Sequence, residues 1–238
     1  MAKRKAGERE EAPAAKRGPN KAFAFQTPFR AQIVGGSGSG KTWWLIDYLC
    51  TYGVKQFDQV IWVAPSRSLQ QKGLEKLKKR WGKYITFVEG LNTAEIDEAI
   101  EHGFGLGWET CVVLDDLLSE SGKSKYLKDL FISGRHSKVS TIELLQAIFP
   151  PGARTHRLQT EYFVLFRFAA ADEAKRLFQQ VTTSAEEAGL LTKAYRKIIG
   201  RDPHQCLILD LKAPQKKDFP LRVRDTELDN LVPELWNV

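Results

Sequence analysis

Long apolar runs are missing from this chain: none of its 238 residues sit in a stretch that approaches the length needed to cross a bilayer. The N-terminus is charged and lacks the basic, apolar and cleavage regions of a secretory leader, so neither export nor insertion into a membrane is expected. Cysteine is scarce, with three residues, Cys50, Cys111 and Cys206, odd in number, far apart and each inside an apolar stretch. That excludes a disulfide framework and a cysteine-rich metal site, and predicts reduced core thiols in an intracellular protein. No histidine or cysteine stands at a metal-ligand spacing from His136. Internal repeats are absent as well.

With 42% hydrophobic residues, the chain has enough apolar material for one sizeable core. A formal charge of +7 suits a polyanionic partner if the basic residues cluster in the fold. Residues 1 to 20 carry six basic and three acidic side chains without apolar periodicity, so a disordered basic tail is expected over 1–22. Within it, Lys3-Arg4-Lys5 and Lys16-Arg17 are ten residues apart, the spacing of a two-part nuclear import signal and also compatible with a plain solvated tail.

From residue 23 to 238 one globular domain is expected. Strand signals fall at 32–34, 60–64, 85–88, 110–114, 141–145, 162–168, 206–211 and 221–223, with helical periodicity between several of them, at 41–51, 69–80, 93–101, 123–132, 172–187 and 190–199. This alternation predicts an α/β fold, a mainly parallel sheet flanked by helices, and the crowded last strands predict an antiparallel C-terminal edge.

Gly35-Gly36-Ser37-Gly38-Ser39-Gly40-Lys41-Thr42 is a complete GxxxxGK[ST] loop between an apolar strand and a helical stretch. The glycines let successive N–H groups point at phosphates, Lys41 reaches the β- and γ-phosphates, Thr42 offers its hydroxyl to Mg²⁺, and the following helix adds its dipole. ATP with Mg²⁺ is the expected ligand. Cys111-Val112-Val113-Leu114-Asp115-Asp116 then runs four apolar residues into two carboxylates. A buried strand of this kind delivers Asp115 to the Mg²⁺ shell and leaves Asp116 to orient or deprotonate the attacking water. The strand ending in Gln146 places an amide where parallel sheets put ligand contacts, suited to sensing the γ-phosphate. Arg135, in the loop Ser133 to Ser137, is a candidate to reach a neighbouring subunit's γ-phosphate, the alternative being an ordinary surface arginine.

The phosphate loop, the Val-Val-Leu-Asp-Asp strand, Gly134-Arg135-His136 leading to Gln146, Tyr162 to Phe166 and Cys206 to Leu211 together resemble the viral genome-packaging ATPases of the FtsK/HerA superfamily, the poxvirus type above all. The resemblance runs from about Phe29 to Val223. It implies a RecA-like motor that assembles as a ring, usually a hexamer, and pumps double-stranded DNA by ATP hydrolysis, in the virion or the host nucleus, docked to a capsid or portal protein. By the same match Lys41, Asp116, Gln146 and Arg135 take the catalytic roles; outside the match, Arg154 is the finger to consider if Arg135 is not. Two departures stand out: Asp116 is shorter than the glutamate many such motors carry, and Trp43-Trp44, read as core packing, follow the loop directly.

Basic residues in loops leaving the active-site edge, Lys123 and Lys125 on one side and Arg154 and Arg157 on the other, are the expected DNA contacts. The basic stretch 69–80 is read as a solvated outer face. Three other readings compete: a helicase or DNA-segregation motor of the same superfamily, a small-molecule kinase or GTPase switch, and a nucleotide-binding module without turnover. The chain has no Asn-Lys-x-Asp guanine motif, which weighs against the switch.

Overall fold

The computed structural model describes residues 24–117, 124–152, 154–168, 171–202, 204–212 and 221–223. The expected tail, 1–22, and Lys123 lie outside the described residues.

The strands are β1 (Arg30–Val34), β2 (Gln59–Ala64), β3 (Ile85–Glu89), β4 (Thr110–Asp115), β5 (Val139–Leu145), β6 (Tyr162–Leu165), β7 (Leu207–Asp210) and β8 (Leu221–Val223). They form an eight-stranded sheet in the order β3-β2-β4-β5-β1-β6-β7-β8. Every pairing from β3 across to β6 is parallel, and β6–β7 and β7–β8 are antiparallel. β2, β4 and β5 are buried along their whole length. That burial follows from helices covering both faces, and it explains why β2 and β4 read as near-continuous apolar runs instead of alternating ones, whereas β5 buries Ser140, Thr141 and Glu143 among its apolar residues.

One face carries an aromatic-rich core. Helix Lys41–Thr51 and helix Leu74–Trp81 pack there over Ala31, Ile33, Val60, Trp62, Val113, Ile142 and Val164. Phe25 stacks on Tyr162 with centroids 4.1 Å apart, and Trp44 stacks on Tyr48 at 5.4 Å. The other face holds two apolar clusters. One joins Val34, Leu145, Phe163 and Leu165 to helices Ala171–Val181 and Ala185–Arg201; the second joins Ile61, Val63, Val112 and Leu114 to helices Thr93–Gly105 and Lys125–Ser133.

Between those clusters runs a buried polar stripe. Glu143 on β5 accepts from Gln32 Nε2 on β1 at 2.9 Å and lies 3.3 Å from His156 Nδ1, from the short helix Arg154–Gln159. The His156 ring in turn stacks on Phe131 at 4.4 Å. At the near end of β1, Arg30 donates to the carbonyls of Phe131 (2.7 Å) and Ile132 (3.2 Å), the last turn of helix Lys125–Ser133. A cation placed there satisfies orphan carbonyls and opposes the negative end of the helix dipole.

All eight predicted strands are present. The helical reading needs three corrections. The stretch 69–80 is two helices, Ser66–Leu69 and Leu74–Trp81, because Gln71-Lys72-Gly73 interrupts the periodicity. Helix Arg154–Gln159 stands where the sequence predicts a loop, being too short to show a period. Helix 172–187 divides at 182–184, where the Ser184 side chain caps helix Ala185–Arg201 by accepting from the Glu187 N–H.

Candidate functional site

Because the strands from β3 to β6 are parallel, their carboxyl ends share one edge of the sheet, and the crevice outside such an edge is where α/β folds bind ligands. A cleft of about 680 Å³ opens there, lined by Ser37 to Trp44, Asp115, Asp116, Gln146 and His204 among others. The residues that the sequence assigns to nucleotide chemistry thus come together from three separate strand ends, save one.

The phosphate loop is pinned on both flanks. Gly35 N–H donates to Leu145 O of β5 at 3.0 Å, and Gly36 N–H to Arg167 O beyond β6 at 2.9 Å. A Cβ on Gly35 would stand 2.6 Å from Phe166 Cβ and from Ser39 Oγ, so the crossing of loop and β6 exit admits only glycine there. Gly38 and Gly40 adopt φ of +73° and +96°, a conformation in which glycine is at ease, and Gly40 caps helix Lys41–Thr51.

Lys41 Nζ donates to Gly35 O at 2.6 Å and Gly36 O at 2.9 Å, which holds the ammonium inside the curl of the loop. Burial lowers its pKa, against the pull of Asp115 and Asp116. Burial likewise pushes the Asp115 carboxyl up to about 6, helped by the like charge of Asp116 and opposed by the Lys41 ammonium and, more weakly, by the Trp62 indole. Asp115 Oδ2 is buried without a hydrogen-bond partner among the described residues. An anionic oxygen left bare beside a phosphate loop, in the same cleft as the Thr42 hydroxyl, is a donor set that fits Mg²⁺, a cation that takes one or two protein oxygens plus phosphates. Among the described residues no cluster of three or more His, Cys, Asp or Glu offers a metal an all-protein cage.

Asp116 sits just past β4 with φ of +57°, and its Oδ2 accepts from Arg67 Nη2 at 2.9 Å. Gln146 is exposed at the end of β5 and faces the cleft. Arg135 is the exception. It is exposed in the turn Gly134–Ser137 that precedes β5, at the amino edge of the sheet, and β5 is seven residues long. At about 3.3 Å per residue that separates it by roughly 20 Å from the carboxyl edge of its own chain. Arg135 therefore has no access to its own cleft.

Four cleft residues are not legible in the sequence. Trp43 is 59% exposed and lines the cleft, whereas Trp44 is 3% exposed and belongs to the core, so the reading of both as core packing holds only for Trp44. His204 Nδ1 lies 3.3 Å from Ser39 O, brought over the loop from beyond helix Ala185–Arg201 by the return into β7. Ser68 and Gln71 line the cleft from the segment after β2. No local motif marks any of them, although the i, i+4 pair Trp43 and Asp47, off the apolar face of its helix, is a signal for the first.

Of the expected DNA contacts, Lys125 and Arg154 are exposed. The Arg157 and Arg176 guanidiniums each lie 4.4 Å from the Phe149 ring centroid. Burial and the neighbouring charges of Arg154 and Arg176 lower the Arg157 pKa, the sign of a concentrated positive patch. On helix Leu74–Trp81 the residues Leu74, Leu77 and Trp81 are buried while Lys76, Lys78, Lys79 and Arg80 are exposed, as a solvated outer face requires. No helix among the described residues is long and apolar enough to cross a membrane.

The genome packaging NTPase B204 of Sulfolobus turreted icosahedral virus 2, solved with ATP-gammaS, aligns with 87% of this chain and 100% of its own at a TM-score of 0.57 and 15% identity. The KaiC-like protein PH0186 of Pyrococcus horikoshii aligns with 87% of this chain and 90% of its own at a TM-score of 0.50 and 14% identity. The cytoplasmic domain of the type VII secretion ATPase EccC of Thermomonospora curvata aligns over 78% of this chain and 24% of its own at 0.51 and 14%. At such identities these likenesses establish the fold, that of a P-loop NTPase. No curated protein matches the sequence. The family described as Poxvirus A32 protein matches residues 20–172, a span that includes the phosphate loop, both aspartates, Arg135 and Gln146. The chain belongs to that family, the Poxvirus A32 proteins.

Proposed function

We propose that this chain hydrolyses ATP to translocate double-stranded DNA during genome packaging, as a ring of copies in which each nucleotide cleft is completed by its neighbour. The observation that carries the reading is the division of polar and charged groups between the sheet's two edges: Lys41, Thr42, Asp115, Asp116 and Gln146 share the cleft at the carboxyl edge, and Arg135 projects from the amino edge. A single copy lacks an arginine from the Arg135 turn at its γ-phosphate site; a copy docked amino edge to cleft supplies one. The poxvirus family assignment points to DNA as the polymer, and the ATP-gammaS complex of the similar packaging NTPase points to ATP.

In this reading the loop amides and Lys41 cradle the β- and γ-phosphates. Thr42 and Asp115 hold Mg²⁺, which when bound screens phosphate charge. Asp116 orients water and accepts its proton as the water oxygen bonds to the γ-phosphorus and the bond to the β–γ bridging oxygen breaks, releasing ADP. Gln146 contacts the γ-phosphate, and Arg135 of the adjacent copy stabilises charge in the transition state, with Arg154 the other candidate. Arg154, Arg157, Arg176 and Lys125 provide the phosphate-backbone contacts, to which the sequence adds Lys123. A hexamer, a capsid or portal docking partner, the virion or host nucleus as place of action and the import role of residues 3–17 follow from the resemblance and the basic clusters.

The test is ATP hydrolysis by purified protein with and without double-stranded DNA, alongside electron microscopy with a non-hydrolysable ATP analogue. Hydrolysis that rises with DNA of any sequence, and rings that form around it, are expected. Hydrolysis indifferent to DNA would reduce the reading to a nucleotide hydrolase, and absence of both would remove it.

A further inference from the structure

Asp116 is held by a group outside the nucleotide motifs. Its φ of +57° is uncommon for a non-glycine residue, although aspartate is among the side chains that tolerate it. That backbone fixes the direction in which the side chain leaves the chain and leaves its torsions open. The second constraint is Arg67, whose Nη2 donates to Asp116 Oδ2 at 2.9 Å.

The contact is built into the topology. β2 and β4 are parallel neighbours with Val63 opposite Leu114, so their carboxyl ends emerge side by side. The turn Ser66–Leu69 that follows β2 then faces the residue that follows β4. Ser68 from this turn and Asp116 both line the cleft. The Arg67 side chain is 80% exposed and that of Asp116 27%, so the guanidinium fills no core space. An exposed ion pair adds little to stability. Its effect is geometric: one carboxylate oxygen is engaged, and the other is left to accept from water.

We propose that Arg67 is a positioning residue for hydrolysis, which fixes the orientation of the Asp116 carboxylate toward the attacking water without itself touching the nucleotide. The inference rests on the reading of Asp116 as the water-orienting group. Misplacing such a group costs rate and not affinity, because water is activated only in the transition state.

The experiment is single-turnover ATP hydrolysis and binding of a fluorescent ATP analogue by Arg67→Ala, Arg67→Lys, Asp116→Asn and the Arg67→Ala/Asp116→Asn double variant. Arg67→Ala is expected to slow hydrolysis roughly ten- to a hundredfold while the analogue binds as it does to the unaltered protein. Arg67→Lys, which keeps the charge but not the planar fork, is expected to restore part of the rate. The double variant is expected to be no slower than Asp116→Asn alone, since a positioning residue has nothing left to position. An unchanged rate in Arg67→Ala overturns the inference. So do losses that multiply in the double variant, or a loss confined to analogue binding, because either would mean that Arg67 acts on the phosphates directly. The unaltered protein separates the two readings: no hydrolysis there overturns the hydrolase assignment and this inference with it, whereas hydrolysis there with an indifferent Arg67→Ala overturns the inference alone.

Discussion

Lys41 and Asp115 oppose each other's proton equilibria across the mouth of the cleft: burial drives both toward neutrality, and each charge resists that drive in its partner. For Asp115 the consequence is a stability cost. Its folded pKa, about 6, lies above the ordinary 3.8, so the folded state binds this proton more tightly than the unfolded chain. The contribution of this one group to stability is then greatest below pH 3.8, falls as pH rises toward 6, and stays low above it. Asp115→Asn removes a buried, incompletely partnered charge. It should stabilise the nucleotide-free protein at pH 7 by on the order of 2 kcal/mol, with no gain at pH 4, while hydrolysis is lost. Thermal melts at the two pH values check this, and a lower melting temperature at pH 7 would refute it.

Gly35→Ala tests the crossing of the loop with the exit of β6. A methyl group 2.6 Å from Phe166 Cβ and Ser39 Oγ must displace the loop, since Phe166 is buried and its carbonyl accepts from Tyr195 Oη at 2.7 Å. Affinity for a fluorescent ATP analogue is expected to fall at least about tenfold, or about 1.4 kcal/mol. Tight binding by this variant would mean that the loop flexes more readily than its anchors suggest.

Arg135 calls for a mixing experiment. Arg135→Ala should bind ATP normally and hydrolyse it on the order of a thousandfold more slowly, as for other arginine fingers. Lys41→Ala should be folded and inactive, since the change removes phosphate charge stabilisation and no core volume. Mixed rings of the two should regain some turnover, because certain interfaces pair an intact loop with an intact finger. If verified mixed rings stay silent, the finger lies elsewhere, with Arg154 next to be tested.

For DNA, apparent affinity should fall steeply with salt. Neutralising Lys123, Lys125, Arg154 and Arg157 together should flatten the dependence of log affinity on log salt, by roughly one unit for each DNA phosphate that is no longer paired with a cation. A slope identical to that of the unaltered protein would move the binding surface, with the exposed lysines of helix Leu74–Trp81 the next candidates.

The sheet is legible because parallel strands buried on both faces leave short, nearly unbroken apolar runs such as β2 and β4, and because a polar residue marks the exit of β4 at Asp115 and of β5 at Gln146. The motif residues are legible because phosphate chemistry demands fixed spacings. Trp43 escapes a reading that takes it as half of a pair, because neighbours on a helix point about 100° apart and cannot share one environment. His204 and Arg67 are invisible for a different reason. Each meets its partner at the cleft through tertiary placement alone, His204 reaching Ser39 across 165 positions and Arg67 reaching Asp116 across 49, and neither carries a local signature.

The buried Gln32–Glu143–His156 stripe also makes strand pairing hard to mistake. If β5 slipped by one residue against β1, Glu143 would turn from its amide and imidazole into the aromatic layer around Ile142 and Leu144, a carboxylate among rings. Apolar strands alone tolerate such slippage; this one does not. Glu143 thereby serves as an index mark for the sheet, and the height at which Gln146 and the loop anchor Leu145 stand beside the phosphate loop is set three residues earlier, by a charge that never meets the nucleotide.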